Sequence, residues 1–459
     1  MIFTKDKGFY RSLLRLSLPI TLQNLITFSV GLADNVMIGT LGDDAVAGVY
    51  MGNMVGTLLQ VFTAGIEGAI LILAAQYWGK RDTRSIRRIG AIGIRFACLF
   101  GVLVSAVSAL FPSFVISLFT HDEQILRVGA EYLGIVCFSY FFFCLTQALI
   151  STMRSVESAR IGTLVSSISL LVDILLNYLL IFGKLGFPAL GVRGAAIATL
   201  AARIAEAAVI VAYVFLADRK LRLTVRDLFV RDRLLLRDFL RYGLPVMGGQ
   251  LVWAANMFAC SAIMGRQSDG GTVTGLSLAN TLNNLVYVVM NGTSGAVGII
   301  TGKTIGEGKT DRIREYARTV QILFFALGFL TGGALQLLKN PFISLYRISD
   351  EAIRSARALI NVLSVTIVGT CYQAACLFGL VKSGGDVSFV LINDAIFVFL
   401  IVIPSALIAT ALGAPAWVVF ACLKCDQILK CFVALVKINR FRWMKNLTRS
   451  GEKTTECKE

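Results

Sequence analysis

The sequence predicts an all-α membrane protein: twelve transmembrane helices in two pseudo-symmetric six-helix bundles. Three observations carry that prediction. Apolar residues make up 56% of the 459 and charged residues 16%, against roughly 45–50% and about 25% in soluble domains. Apolar stretches of bilayer length recur along the chain, and the second half repeats motifs of the first. The composition also excludes a disordered chain, a collagen-like or solenoid repeat and a small disulfide scaffold.

Crossing a bilayer as a helix takes roughly 20 apolar residues. In the first half the segments of that length are 14–38, carrying Pro19; 46–75, after Asp43 and Asp44; 91–116, after the basic run ending at Arg88; 129–151; 161–183, ending at Gly183; and the alanine-rich 190–216. In the second half they are 240–264, carrying Pro245; 273–302; 317–338; 356–381; 388–411; and 414–436. The first segment exceeds the apolar region of a cleaved leader and no small-residue cleavage site follows it, so it is expected to remain as an anchor. The expected organisation is an N-terminal bundle over 1–218, a basic cytoplasmic linker over 219–241, a C-terminal bundle over 242–436 and a basic tail over 437–459.

Lys and Arg number 44 against 28 Asp and Glu, a formal charge of +16. In a soluble chain that excess would suggest nucleic acid. Here the bases sit in short loops, so no nucleic-acid partner is expected. The N-terminus, 79–90, 152–160, 217–242, 303–318, Lys382 and the tail from Lys437 together hold 32 of them. The alternate loops and span ends hold eight: Arg127, Lys184, Arg193, Arg266, Lys339, Arg347, Arg354 and Arg357. The positive-inside rule places the first set and both termini in the cytoplasm, in a multi-pass protein of the inner membrane. Membrane lipids are its surroundings, and the linker bases could touch anionic ones. Most of the ten cysteines lie in apolar segments, where they pack as small hydrophobes. Cys422 and Cys425 form a CxxC without a histidine or a second pair, so no metal site is read there.

The repeat is explicit. RLSLPITLQNL around Pro19 matches RYGLPVMGGQL around Pro245, and Gly39 matches Gly265 at the same offset. One residue later in register, Gly48 and Asn53 meet Gly275 and Asn280, AGIEGA meets NGTSGA, and WGKRDTRSIR meets IGEGKTDRIR. With six spans per copy, both copies begin on the same side, and an axis along the membrane normal relates them, as in parallel-repeat transporters.

These motifs resemble the multidrug and toxic compound extrusion (MATE) family, in the superfamily that includes lipid-linked oligosaccharide flippases. The resembling residues are ADNVMIGTLGDDAVAGV, AAQYWGKRD, LLNYLLIFGKLGFPALGVRGAAIAT, KSGGD and the closing KINRFRW, spread over the whole chain. The resemblance implies a monomeric secondary transporter, not an enzyme, that exchanges H⁺ or Na⁺ for organic, cationic and lipophilic compounds by alternating access. No cofactor beyond the coupling ion is implied.

A carboxylate at mid-bilayer costs roughly 2.5–3.5 kcal/mol, so each one needs a reason. Asp34 has no charged residue within a turn. It is either a site for a proton or cation or a carboxylate hydrogen-bonded to a neighbouring helix, and the family resemblance implies a coupling role. Asp173 and Asn177 share one helix face and offer hard oxygen ligands or a hydrogen-bonded proton site; the alternative is an interhelical polar clamp. Family members often carry Asn then Asp here, beside a threonine that Thr199 matches. In this chain the order is reversed. Glu67 would line a cleft between the bundles or pair two helices. Asp394, Trp253 and Gln373 are further cleft candidates, the aromatic one suiting a cationic ligand. Arg203 and Glu206 are expected to neutralise each other, as are Asp426 and its neighbouring lysines. In another branch a glutamate lies eight residues beyond the proline of the seventh span; here Trp253 stands there, so coupling is expected in the first half.

The main alternative is a lipid-linked oligosaccharide flippase, which would need a cleft ringed with bases for pyrophosphate. Only Arg95 and Arg203 lie in mid-span among the arginines. HExxH, GxSxG, paired GxGD acids and Walker motifs are absent, which argues against an intramembrane enzyme, and no repeated filter sequence suggests a channel.

Overall fold

The computed structural model describes residues 3–266, 270–344, 346 and 348–449; Arg347 and the tail beyond Arg449 lie outside the described residues. The first half folds as α1 (Lys7–Gly39), α2 (Asp43–Gly79), α3 (Thr83–Leu110), α4 (Pro112–Ser117), α5 (Glu123–Val136), α6 (Ser139–Ser155), α7 (Arg160–Phe182) and α8 (Val192–Ala212). The second half folds as α9 (Arg233–Arg266), α10 (Gly270–Gly306), α11 (Thr310–Ile343), α12 (Asp350–Gln373), α13 (Val387–Ile396), α14 (Ile403–Ala411), α15 (Ala416–Lys424) and α16 (Asp426–Asn439). Stretches of π-helix extend α8 over Tyr213–Ala217 and α12 over Ala374–Val381, and join α13 to α14 over Phe397–Val402.

All twelve expected segments are helical, but three are broken, the third segment at Phe111, between α3 and α4. The fourth is α5 plus α6, bent by 53° at Cys137 and Phe138. The twelfth is α15 plus α16, interrupted at Cys425, where Lys424, Asp426 and Lys430 dilute its apolar character. Several helices begin well outside the apolar windows because their caps lie in polar flanks. Asp6 accepts from the Gly8 amide at 2.8 Å, and Asp82 from the Ser85 amide at 3.0 Å; each satisfies an otherwise orphaned N–H. Likewise α9 starts at Arg233, inside the stretch expected to be linker, with Asp232 accepting from the Leu235 amide at 3.0 Å.

The halves exchange arms in register with the repeat. The N-terminal arm lies on α11: the Thr4 amide donates to the Thr319 hydroxyl at 2.8 Å, Tyr316 donates to Asp6 at 2.6 Å, and Phe9 stacks on Tyr316 with ring centres 4.5 Å apart. The equivalent approach to α9 lies on α3, the repeat partner of α11. There Arg88 bonds Asp232 at 2.7 Å, Arg95 donates to the Val230 carbonyl at 3.2 Å, and Phe239 stacks on Phe96. In the same way α1 packs on α10, and α9 on α2.

Glycines reveal where the halves meet. At the basic-loop end a β-carbon on Gly79 would overlap the Lys303 carbonyl oxygen, and one on Gly306 the Gln76 carbonyl oxygen, so α2 and α10 touch backbone to backbone. Midway along α2, Gly65 and Gly68 admit Met247 and Val246 of α9. Beyond that point the partners change. Gly48 and Gly52 meet Val128 and Tyr132 of their own half, and Gly275 meets Ala356 of its own half. The two bundles are joined at the basic-loop end, and from mid-length outward α2 and α10 pack on their own bundles.

The chain's last described residues cross this junction. Gln76 donates to the carbonyls of Ser383 (3.2 Å) and Lys445 (3.3 Å) and accepts from the Leu447 amide at 2.8 Å. Arg449 holds Asp238 through two bonds of 2.8 and 2.9 Å, a bidentate fork that fixes geometry as well as charge. Trp443 anchors the crossing. It is fully buried, lies against Gly384, and donates to the Ile438 carbonyl at 3.0 Å. Trp443→Ala should therefore destabilise the protein by about 3–5 kcal/mol, seen as a lower melting temperature in detergent; an unchanged melting curve would contradict this anchoring.

Candidate functional site

The sequence LLVDILLN places Asp173 and Asn177 one turn apart on α7, on the face that meets α1. The Thr163 hydroxyl pins that contact by donating to the Pro19 carbonyl at 2.8 Å. Further along, the Asn177 amide donates to Asp34 of α1 at 2.7 Å and to Asp173 at 3.1 Å. The two carboxyls also lie within hydrogen-bonding reach of each other. Asp173 and Asn177 are each 1% exposed, whereas Asp34 is half-buried. The Asn177 amide oxygen is buried without a hydrogen-bond partner among the described residues.

Helix α8 closes the group. Arg203 pairs with Glu206 at 2.6 Å and lies within electrostatic reach of Asp34 and Asp173. Thr199 joins at one remove: its hydroxyl meets that of Tyr132 on α5, which also reaches Asn53 of α2 at 3.3 Å. Counted formally, three carboxylates face one guanidinium. A buried excess of negative charge must be met by a proton or a cation. The oxygens present, from carboxylates, an amide and hydroxyls, suit either.

The cleft candidates are placed differently. Glu67 sits at the crossing of α2 with α9, between the two glycines that allow it, and feels Arg154 of the first half and Lys382 of the second. Arg154 also donates to Gln23 at 2.7 Å. Asp394 shares Lys430 with Asp426, each at 2.9 Å. Gln427 links this trio to Gln373 and, at 2.9 Å, to Thr370. Lys382 lies within electrostatic reach of both Glu67 and Asp394, and Trp253 is half-exposed on α9.

Some of this was readable in advance and some was not. Arg203–Glu206 and Asp426–Lys430 are pairs within a helix, and spacing reveals them. The bond between Asp394 and Lys430 joins two helices, and the places of Tyr132 and Asn53 depend on how α2 and α5 cross. No local pattern encodes either.

Comparison with known proteins agrees with the architecture. The MatE family model matches residues 19–179 and 245–408, one match in each half. The chain is 25% identical to "Probable multidrug resistance protein YoeA" of Bacillus subtilis over 77% of both chains. It is 24% identical to "Probable multidrug resistance protein NorM" of Thermotoga maritima, over 78% of this chain and 76% of that one. A solved structure titled "Outward-facing conformation of a multidrug resistance MATE family transporter of the MOP superfamily" superposes with a TM-score of 0.84 at 20% identity, covering 95% of this chain and 99% of that one.

Two predictions follow from the clusters. Exchanging the pair, Asp173→Asn with Asn177→Asp, replaces the bridging amide donor by a carboxylate facing Asp34; transport should be lost while the protein still folds, and retained transport would show that the bridge is dispensable. Lys430→Met strands Asp394 and Asp426 and should cost about 3–5 kcal/mol; adding Asp394→Asn and Asp426→Asn should restore most of it in the same melting assay.

Proposed function

From the premise that this chain belongs to the MatE family of multi-pass membrane transporters, which are not enzymes, we propose that it is a drug efflux transporter that exchanges H⁺ or Na⁺ for organic, cationic and lipophilic compounds by alternating access. The observation that carries the coupling site is the Asn177 amide bridging Asp34 and Asp173, in a cluster with two negative charges in excess. An ion bound there would favour one conformer and the drug the other, and differential affinity is all that coupling requires. Thr199 would complete the oxygen set through Tyr132.

The junction of the halves supplies the second requirement. With the bundles joined at the basic-loop end, a cleft between them would open toward the other side. Under the positive-inside orientation this is the outward-facing conformer of a monomer in the cytoplasmic membrane, with both termini inside. The inward-facing conformer would then require Gly306 to part from Gln76, and the tail to release Gln76 or Asp238. Glu67, at the inner limit of that cleft, is placed to meet a cationic substrate, with Arg154 and Lys382 as its counter-charges in the substrate's absence. One positive charge moving inward gains about 2.3 kcal/mol per 100 mV, enough for roughly fiftyfold accumulation of a neutral compound.

The test is dye uptake into inside-out vesicles carrying the protein, with a Na⁺ or a proton gradient imposed separately. Uptake driven by one of them, and lost in Asp34→Asn, is the expected result and names the ion. Gradient-driven uptake that survives Asp34→Asn would remove the coupling assignment, and no uptake under either gradient would remove the exchange mechanism.

A further inference from the structure

At the basic-loop end, on the flank of the second bundle, α13 and α16 flank an open, surface-facing cavity of about 540 Å³. Its walls are of two kinds. Phe389, Phe432 and Val436 form an apolar side, while Lys437, Arg440 and Arg442 form a cationic rim. Phe432 is 64% and Val436 51% exposed, and the apolar side continues along Leu435 of α16 and along Ile392 and Ile396 of α13, all well exposed. In a membrane protein such a surface faces acyl chains.

The rim is short of counter-charge. Asp386 is the carboxylate paired with it: Lys437 lies 2.6 Å from one of its oxygens and Lys445 2.8 Å from the other. Burial works against the charged form of Asp386, but the hydrogen bonds and charges of Lys437 and Lys445 outweigh it and hold the carboxyl below its usual range. The Lys437 ammonium also sits over the Phe389 ring, 3.9 Å from its centre, which fixes it at the boundary between rim and wall. Arg440 and Arg442 make no ion pair among the described residues, and both are exposed. Among the described residues, four bases thus surround one acid.

We propose that this cavity is a binding site for an anionic phospholipid, its phosphate held by Arg440 and Arg442 and one acyl chain lying along Phe432 and Val436. Guanidinium forks match phosphate oxygens in pairs. The apolar wall gives a soluble phosphate compound no advantage, and the excess of bases favours a lipid with net negative charge over a zwitterionic one. Basic residues near a membrane surface attract acidic lipids in general; what sets this place apart is that two unpaired guanidiniums share a cavity with a lipid-facing aromatic wall.

The experiment uses the full chain, purified and reconstituted with phosphatidylglycerol, with phosphatidylcholine, or in detergent with glycerol 3-phosphate alone. Retained lipid is read by native mass spectrometry and protection by melting temperature. The variant is Arg440→Gln/Arg442→Gln. The control, Arg11→Gln/Arg15→Gln, removes the same charge from two exposed bases elsewhere at that end. Each guanidinium is expected to contribute about fivefold, so the variant should hold phosphatidylglycerol about thirtyfold less tightly, with the control unchanged. Phe432→Gln should also weaken phosphatidylglycerol, and it carries the test alone if the double variant does not fold. The proposal falls if variant and control retain phosphatidylglycerol equally, if phosphatidylcholine is held as tightly, if glycerol 3-phosphate protects as well, or if Phe432→Gln has no effect.

Discussion

Charge is expensive in a bilayer, and this protein's polar architecture follows from where that cost is met. In the second half it is met internally: Asp394 and Asp426 share Lys430, and Lys382 stands within reach of both Asp394 and Glu67. Within that half two bases thus balance two acids, while Glu67, which belongs to the first half, also has Arg154 of its own half beside it. In the first half the balance fails, because Asp34, Asp173 and Glu206 have Arg203 alone. A sealed hydrocarbon region disfavours that excess, which is the reason for assigning the proposed coupling ion to the first half. This asymmetry is superimposed on helix contacts that repeat between the halves, α1 on α10 and α9 on α2.

The backbone symmetry has its own consequence. Because each half lays its leading arm on the third helix of the other, and its first helix on the other's second, the two bundles are clasped at one end by equivalent contacts. The tail adds a contact without a counterpart in the repeat, running from α16 past Gln76 to Asp238. A junction built from helix backbones in contact at Gly79 and Gly306 has little room for intermediate separations, since packed interfaces tend to be bistable rather than continuously deformable. That property suits a protein proposed to alternate between two openings.

The fold was legible in the sequence because its determinants are local or periodic. Bilayer-length apolar runs and the match of Pro19 to Pro245 require no knowledge of packing. The breaks at Phe111, Cys137 and Cys425 and the early start of α9 were not legible, because hydropathy windows report where lipid is and not where helical hydrogen bonding begins; caps such as Asp6 and Asp232 decide that. Half of the ion cluster was legible too. Asp173 and Asn177 reveal themselves by spacing, whereas Tyr132 and the pairing of Asp394 with Lys430 arise from contacts between helices remote in sequence.

The reversed order of Asp173 and Asn177 takes on meaning in this setting. With the aspartate one turn nearer the basic-loop end, the amide is the group that lies against Asp34, and it donates to both acids at once. An amide there lowers the repulsion between two carboxylates without neutralising either, so the proposed site would keep an affinity for a positive charge while α1 stays docked on α7. Its own oxygen, left without a partner, is free to turn toward an arriving ion. In the proposed coupling site Arg203, tied to Glu206, would limit the attraction so that a bound ion could leave when the other side opens. An amide bridge between two acids, tempered by a paired guanidinium, would give such a site the moderate hold that coupling needs.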